Sequence, residues 1–278
     1  MTAAPAPPML VNGESADTVA VADRGFQYGD GLFETIKVTG GIPEFWGRHM
    51  ARLNEGCRRL AIPAPDGALL RREAEELCAG AANAVLKIIV TRGTGGRGYR
   101  PPERAIPTRV VALYPAPDYP PEFWRQGVRV RLCETRMSRQ PRLAGIKHMN
   151  RLEQVLARGE WTEGHIAEGV MLDTQGLAIE GTMTNLFLAR DGALVTPDLS
   201  RCGVAGIIRA VLLELAEKNG IETQVRDISQ DALESADEIF LTNSVVGVWP
   251  VRELGTREYY PGPVTEQLRH ALAAAAKD

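Results

Sequence analysis

The stretch Leu143-Ala144-Gly145-Ile146-Lys147-His148-Met149-Asn150-Arg151-Leu152-Glu153-Gln154 decides how the rest of the chain is read. It places one lysine in an apolar, glycine-containing turn directly ahead of a helix start. Asn150 is positioned to cap that helix, with Glu153 completing a variant of the capping box. Leu152, Val155 and Leu156 then give the helix one apolar face. A lysine amine held near low-dielectric surroundings falls below its ordinary pKa of about 10.4 and becomes able to attack a carbonyl carbon.

Working outward, Ile179-Glu180-Gly181-Thr182-Met183-Thr184-Asn185-Leu186-Phe187-Leu188 puts a carboxylate at a strand end, then a small-residue turn, then a second apolar strand. Gly203-Val204-Ala205-Gly206-Ile207-Ile208-Arg209 leads glycine-rich chain into a helix. Free backbone N–H groups and the positive end of the dipole favour an anion there. Thr242-Asn243-Ser244 sits at the end of another strand.

Together these segments resemble the signature of the fold-type-IV pyridoxal-phosphate enzymes, the class-IV aminotransferase family. Its members include branched-chain and D-amino-acid aminotransferases and a 4-amino-4-deoxychorismate lyase. The resemblance runs from about Met9 to the C-terminal helix. It implies a mixed α/β (α+β), two-domain architecture and pyridoxal 5′-phosphate as cofactor, which needs an amine, an acid beside the pyridine nitrogen and a phosphate cup. Lys147 would be the cofactor-linking and catalytic amine. Glu180 would hold the ring-nitrogen proton through a charge-assisted hydrogen bond. Ile207 and Ile208 would offer backbone amides to the phosphate, with Asn243 and Ser244 forming a second phosphate loop. Arg52, in Arg48-His49-Met50-Ala51-Arg52-Leu53-Asn54, matches the arginine that clamps the phosphate.

On the substrate side, Arg24-Gly25-Phe26-Gln27-Tyr28-Gly29-Asp30-Gly31-Leu32-Phe33-Glu34-Thr35 resembles the family's N-terminal motif, with Tyr28 near the substrate. Most aminotransferases of the fold have Glu-Gly where this chain has Glu34-Thr35. The Thr35 hydroxyl is lyase-like and would assist the leaving group. Thr91-Arg92-Gly93-Thr94-Gly95-Gly96-Arg97-Gly98-Tyr99 resembles the lyase's basic loop, and Arg97 would pair with a substrate carboxylate. The wording around Lys147 looks most like the lyase branch, which converts 4-amino-4-deoxychorismate to 4-aminobenzoate and pyruvate for folate synthesis. Gly181-Thr182-Met183-Thr184 is more aminotransferase-like and keeps transamination of branched-chain or D-amino acids as the alternative. The resemblance also implies a homodimer whose sites are completed by a partner loop.

The chain has 278 residues, enough for one or two domains, and its 44% hydrophobic and 24% charged content is ordinary for a soluble globular protein. A net charge of −3 and a pI near 5.9 argue against nucleic acid as a partner. No apolar run approaches the ~20 residues that span a bilayer. Met1-Thr2-Ala3-Ala4-Pro5-Ala6-Pro7-Pro8 does not read as a secretory signal. Cys57, Cys78, Cys133 and Cys202 form no Cys-x-x-Cys pair, and His49, His148, His165 and His270 show no ligand spacing. We expect a cytoplasmic, metal-free protein with reduced thiols.

The same pass predicts a disordered extension over 1–8, a smaller N-terminal α/β domain over 9–114, a proline-rich linker over 115–121, and a larger cofactor-binding domain over 122–278. Helices are expected at Trp46–Leu60, Ala68–Ala79, 151–158 and Gly206–Asn219, the last ending at Gly220 as its C′ glycine.

Overall fold

In the computed structural model the structure describes residues 7–275, so most of the 1–8 extension lies outside the described residues. Of that extension, the Pro8 carbonyl accepts from Leu113 N at 2.9 Å. The described chain falls into two units: the first runs to Pro117 and reclaims Ile146–Asn150, and the second takes Asp118–Gly145 and Arg151 onward.

The first unit contains β1 (Met9–Val11), β2 (Glu14–Ser15), α1 (Arg24–Tyr28), β3 (Gly31–Thr39), β4 (Ile42–Pro43), α2 (Trp46–Leu60), α3 (Gly67–Cys78), β5 (Asn83–Thr91) and β6 (Thr108–Pro115). Its strands form one antiparallel sheet in the order β2-β1-β6-β5-β3-β4. Along β3 burial alternates: Leu32, Glu34, Ile36 and Val38 are buried, whereas Phe33, Thr35 and Lys37 are half-buried on the opposite face. The buried face receives α2, whose core stripe is His49, Leu53, Gly56 and Cys57 at helical spacing. Gly56 is required by closeness: a Cβ there would lie 2.8 Å from a methyl of Leu32.

The second unit contains α4 (Glu122–Arg125), β7 (Val128–Leu132), α5 (Leu152–Arg158), β8 (Ile166–Leu172), β9 (Ala178–Gly181), β10 (Asn185–Arg190), β11 (Ala193–Pro197), α6 (Ile207–Lys218), β12 (Thr223–Arg226), α7 (Gln230–Glu234), β13 (Glu238–Asn243), β14 (Gly247–Leu254), β15 (Arg257–Glu258) and α8 (Pro263–Ala275). Its sheet runs β12-β11-β10-β13-β14-β7-β8-β9, and a further β9–β10 pairing, Glu180 opposite Asn185, closes β10-β13-β14-β7-β8-β9 into a ring. Strands β9, β10 and β13 are buried along almost their whole length. Of the 115–121 stretch, Pro115 ends β6 and Tyr119 packs edge-on against Trp249 at 4.8 Å.

One expectation about the opening stretch is corrected. Asn150 does not cap α5: the N-cap is Arg151, whose side chain does not cap the helix. The Asn150 amide instead donates to Gly29 O at 3.1 Å, and Glu153 accepts from Ser138 N at 3.0 Å, so tertiary partners take both groups of the capping box. The apolar face Leu152, Val155, Leu156 is exposed, and α5 buries Gln154 and Ala157.

Candidate active site

Lys147 lies in the first unit. Its segment pairs with the start of β3 through a single antiparallel bridge, Leu32 to His148: Phe33 N donates to Lys147 O at 3.0 Å and Met149 N to Gly31 O at 2.9 Å. That pairing aims the side chain onto the Phe33 face, where Nζ stands 4.6 Å from the ring centroid. Lys87 reaches the same ring at 5.4 Å from β5. Thr35 occupies that face of β3 too, opposite Lys87 in the register and one side-chain repeat, about 6.6 Å, from Phe33.

Behind this strand lies a buried polar cluster. Arg52 Nε and a terminal nitrogen donate to the two Glu34 oxygens at 2.8 and 2.5 Å, and His49 Nδ1 is 2.6 Å from Glu34 Oε2. Burial pushes the Glu34 carboxyl up, but Arg52 and His49 pull it back further, leaving it below its ordinary 4.5. Burial pushes the His49 imidazole down, so it is neutral and donates from Nδ1. Because the folded Glu34 pKa is depressed, its contribution is present above the ordinary value and is lost as pH falls through the folded one. Replacing Arg52 with alanine should therefore cost about 3–5 kcal/mol near neutral pH, as expected for a buried ion pair that loses one member. Urea unfolding reads the loss; a cost below about 1 kcal/mol, typical of a surface pair, would contradict the burial argument.

Glu180 belongs to the second unit, at the seam where β9 meets β10. It is buried; Val204 N donates to its Oε2 at 2.8 Å and Asn185 Nδ2 at 3.3 Å. Asn185 also donates to Val204 O at 2.8 Å. The glycines of the following loop have separate reasons. Gly203 has φ +84° and passes so close that a Cβ would lie 2.9 Å from Ile179 and 3.3 Å from Glu180 Oε2. A Cβ on Gly206 would lie 1.9 Å from Asn185 Oδ1. Gly145, two residues before Lys147 in the chain, pairs with this loop through Gly145 N to Gly203 O at 2.8 Å and Ala205 N to Gly145 O at 3.0 Å.

Helix α6 begins at Ile207 with Gly206 as an N-cap that makes no side-chain bond, so the Ile207 and Ile208 amides open a helix with no side-chain cap. The β13 end is shaped by Asn243: its oxygen accepts from Val245 N and Val246 N at 2.8 and 2.9 Å, and its amide donates to Met183 O at 3.1 Å. Asn243 thus builds the turn that carries Ser244. Arg97 is exposed on its glycine loop, and Tyr28 is half-buried.

Sequence reasoning missed Glu168. It is fully buried on β8 and accepts from Gly169 N, Thr182 N, Thr182 Oγ1, Met183 N and Thr184 Oγ1, so it pins the Gly181–Thr184 turn between Glu180 and Asn185. Burial pushes its carboxyl up against those donors. It also missed the Glu34–His49 bond; nothing in the spacing of those residues signals it. The thiols are buried and unreactive: burial pushes Cys57 up to about 11 and Cys133 and Cys202 up to about 12.

The chain belongs to the class IV aminotransferase family, whose profile, described as Amino-transferase class IV, matches residues 31–254. Within it, the chain is 40% identical over 248 residues to the aminodeoxychorismate lyase of Vibrio harveyi, covering 89% of this chain and 92% of that one. Among solved structures it is similar to the 4-amino-4-deoxychorismate lyase of Pseudomonas aeruginosa, at 52% identity and a TM-score of 0.92 over 96% of this chain and 98% of that one. It is also similar to the branched-chain amino acid aminotransferase of Escherichia coli, at 25% identity and a TM-score of 0.84 over 98% and 95% of the two chains.

Proposed function

We propose that this chain is a pyridoxal 5′-phosphate-dependent lyase converting 4-amino-4-deoxychorismate to 4-aminobenzoate and pyruvate. The observation that carries the reading is the Lys147 amine fixed over Phe33 with the Thr35 hydroxyl on the same strand face. The likeness to two lyases along nearly the whole chain supports it.

The residues present fit the cofactor. Glu180 is a buried carboxylate held by neighbouring donors, and α6 opens without a side-chain cap. The Ile207 and Ile208 amides, Ser244 and Arg52 would hold the phosphate, and Glu180 would hold a proton at the pyridine nitrogen. When bound, the cofactor supplies an electron sink for the carbon bearing the substrate amine. Lys147 takes the proton from that carbon. Thr35 gives a proton to the departing enolpyruvyl oxygen as the neighbouring C–O bond breaks and the ring becomes aromatic. Tyr28 lies near the substrate, and Arg97 pairs with one of its carboxylates.

The test is substrate preference. The cofactor-loaded enzyme should turn over 4-amino-4-deoxychorismate with a kcat/KM at least about a hundredfold above that for branched-chain amino acids or D-alanine with 2-oxoglutarate. The reverse order would replace this reading with the aminotransferase.

The buried thiols support a reducing compartment, the cytoplasm. A homodimer is expected: α5 of the second unit exposes Leu152, Val155 and Leu156 together on one short helix. Side chains of this size are normally covered when clustered. Sedimentation should give a dimer at micromolar concentration; an active monomer would contradict it.

A further inference from the structure

Arg24 opens α1 yet is almost fully buried, and both terminal nitrogens of its guanidinium are spent on one loop. Nε donates to Asp30 Oδ2 at 2.8 Å, one terminal nitrogen to Gly98 O at 2.9 Å, and the other to Tyr99 O at 3.0 Å. The guanidinium carbon lies 4.9 Å from the centre of the Tyr28 ring. Other bonds follow the same loop: Arg24 N donates to Gly93 O at 2.9 Å, and Gly98 N to the Tyr28 hydroxyl at 3.3 Å. Tyr28 and Tyr99 meet edge to face at 5.5 Å. At Gly95 a Cβ would lie 2.9 Å from Arg24 Cδ, so the loop is shaped to the arginine stem. Asp30 is itself held by Arg92, which also donates to the α2-terminal carbonyls of Leu60 and Ala61.

A segment with glycines at 93, 95, 96 and 98 loses much conformational freedom on ordering. An arginine fork can hold two successive carbonyls and a carboxylate at once, whereas a lysine ammonium cannot reproduce that planar geometry. We infer that Arg24 is a positioning residue that orders the 93–99 loop before substrate arrives, so that Arg97 meets the substrate carboxylate in a fixed place. This rests on the reading of Arg97 given above. Pre-ordering of this kind lowers the cost of binding and leaves the chemical step alone.

The experiment compares wild type, Arg24→Lys, Arg97→Ala and the double variant as cofactor-loaded enzymes. Arg24→Lys should raise KM for 4-amino-4-deoxychorismate about tenfold to a hundredfold with kcat within about twofold. Cofactor affinity should stay unchanged, and amide hydrogen exchange over 93–99 should quicken. In the Arg97→Ala background, Arg24→Lys should add less than about twofold to KM, because the two act as one unit. Unchanged exchange over 93–99, or a loss spread equally over kcat, KM and cofactor affinity, would overturn the proposal. An Arg97→Ala enzyme with native KM would instead overturn the role of Arg97 and the substrate part of the proposal. Quickened exchange in Arg24→Lys would still support the loop-ordering part.

Discussion

Lys147→Ala should lose turnover by at least about four orders of magnitude, since it removes both the covalent anchor and the general base. Borohydride treatment should fix cofactor to the native chain and fix none to the variant. The backbone pairing with β3 holds the Lys147 side chain over Phe33. Lys87 is the one rival worth a control, because its amine reaches the same ring from β5. Peptide mapping settles the matter: trapping at Lys87 in Lys147→Ala would move the catalytic amine to β5 and break the assignment.

Thr35→Gly should depress 4-aminobenzoate release by about 10²–10⁴-fold, the range of a general-acid contribution. A lyase must expel its leaving group before the carbanion is reprotonated; a transaminase needs that reprotonation. Transaminase side activity should therefore fall less than lyase activity, or rise. Glycine in a strand also costs roughly 0.5–1 kcal/mol in stability, so Thr35→Val, which keeps the β-branch and removes the hydroxyl, is the companion variant. Both should bind cofactor like wild type, because Thr35 is none of the residues proposed to hold the cofactor and makes no hydrogen bond to the Glu34–Arg52 pair. Native lyase turnover in Thr35→Val would remove the hydroxyl from the mechanism.

What was legible in the sequence was what local chemistry spells. Helix α2 has the predicted range Trp46–Leu60, because its breakers and its 3.6-residue pattern are local. Gly220 follows α6 with φ +70°, as a C′ glycine should. The Gly203–Gly206 motif was readable as a pattern, but its reasons were not: Gly203 yields to Leu199 and Ile179, and Gly206 yields to Asn185. Periodicity identified the apolar face of α5 but could not say whether it is covered; Leu152 is exposed. The buried polar networks were the least legible. His49, on the core stripe of α2, is a neutral donor to a carboxylate on β3, and Glu168 gathers the turn beyond Glu180. A lone charged residue in a strand looks like a solvated one until the fold supplies its partners.

The central claim is elimination rather than amino-group transfer, and product balance in one reaction tests it most directly. Cofactor-loaded enzyme incubated with 4-amino-4-deoxychorismate and no keto acid should release 4-aminobenzoate and pyruvate in equal amounts, for many turnovers per site. The cofactor's absorption spectrum should be the same before and after. A single turnover that converts the cofactor to its amine form and stops until a keto acid is added would contradict the account.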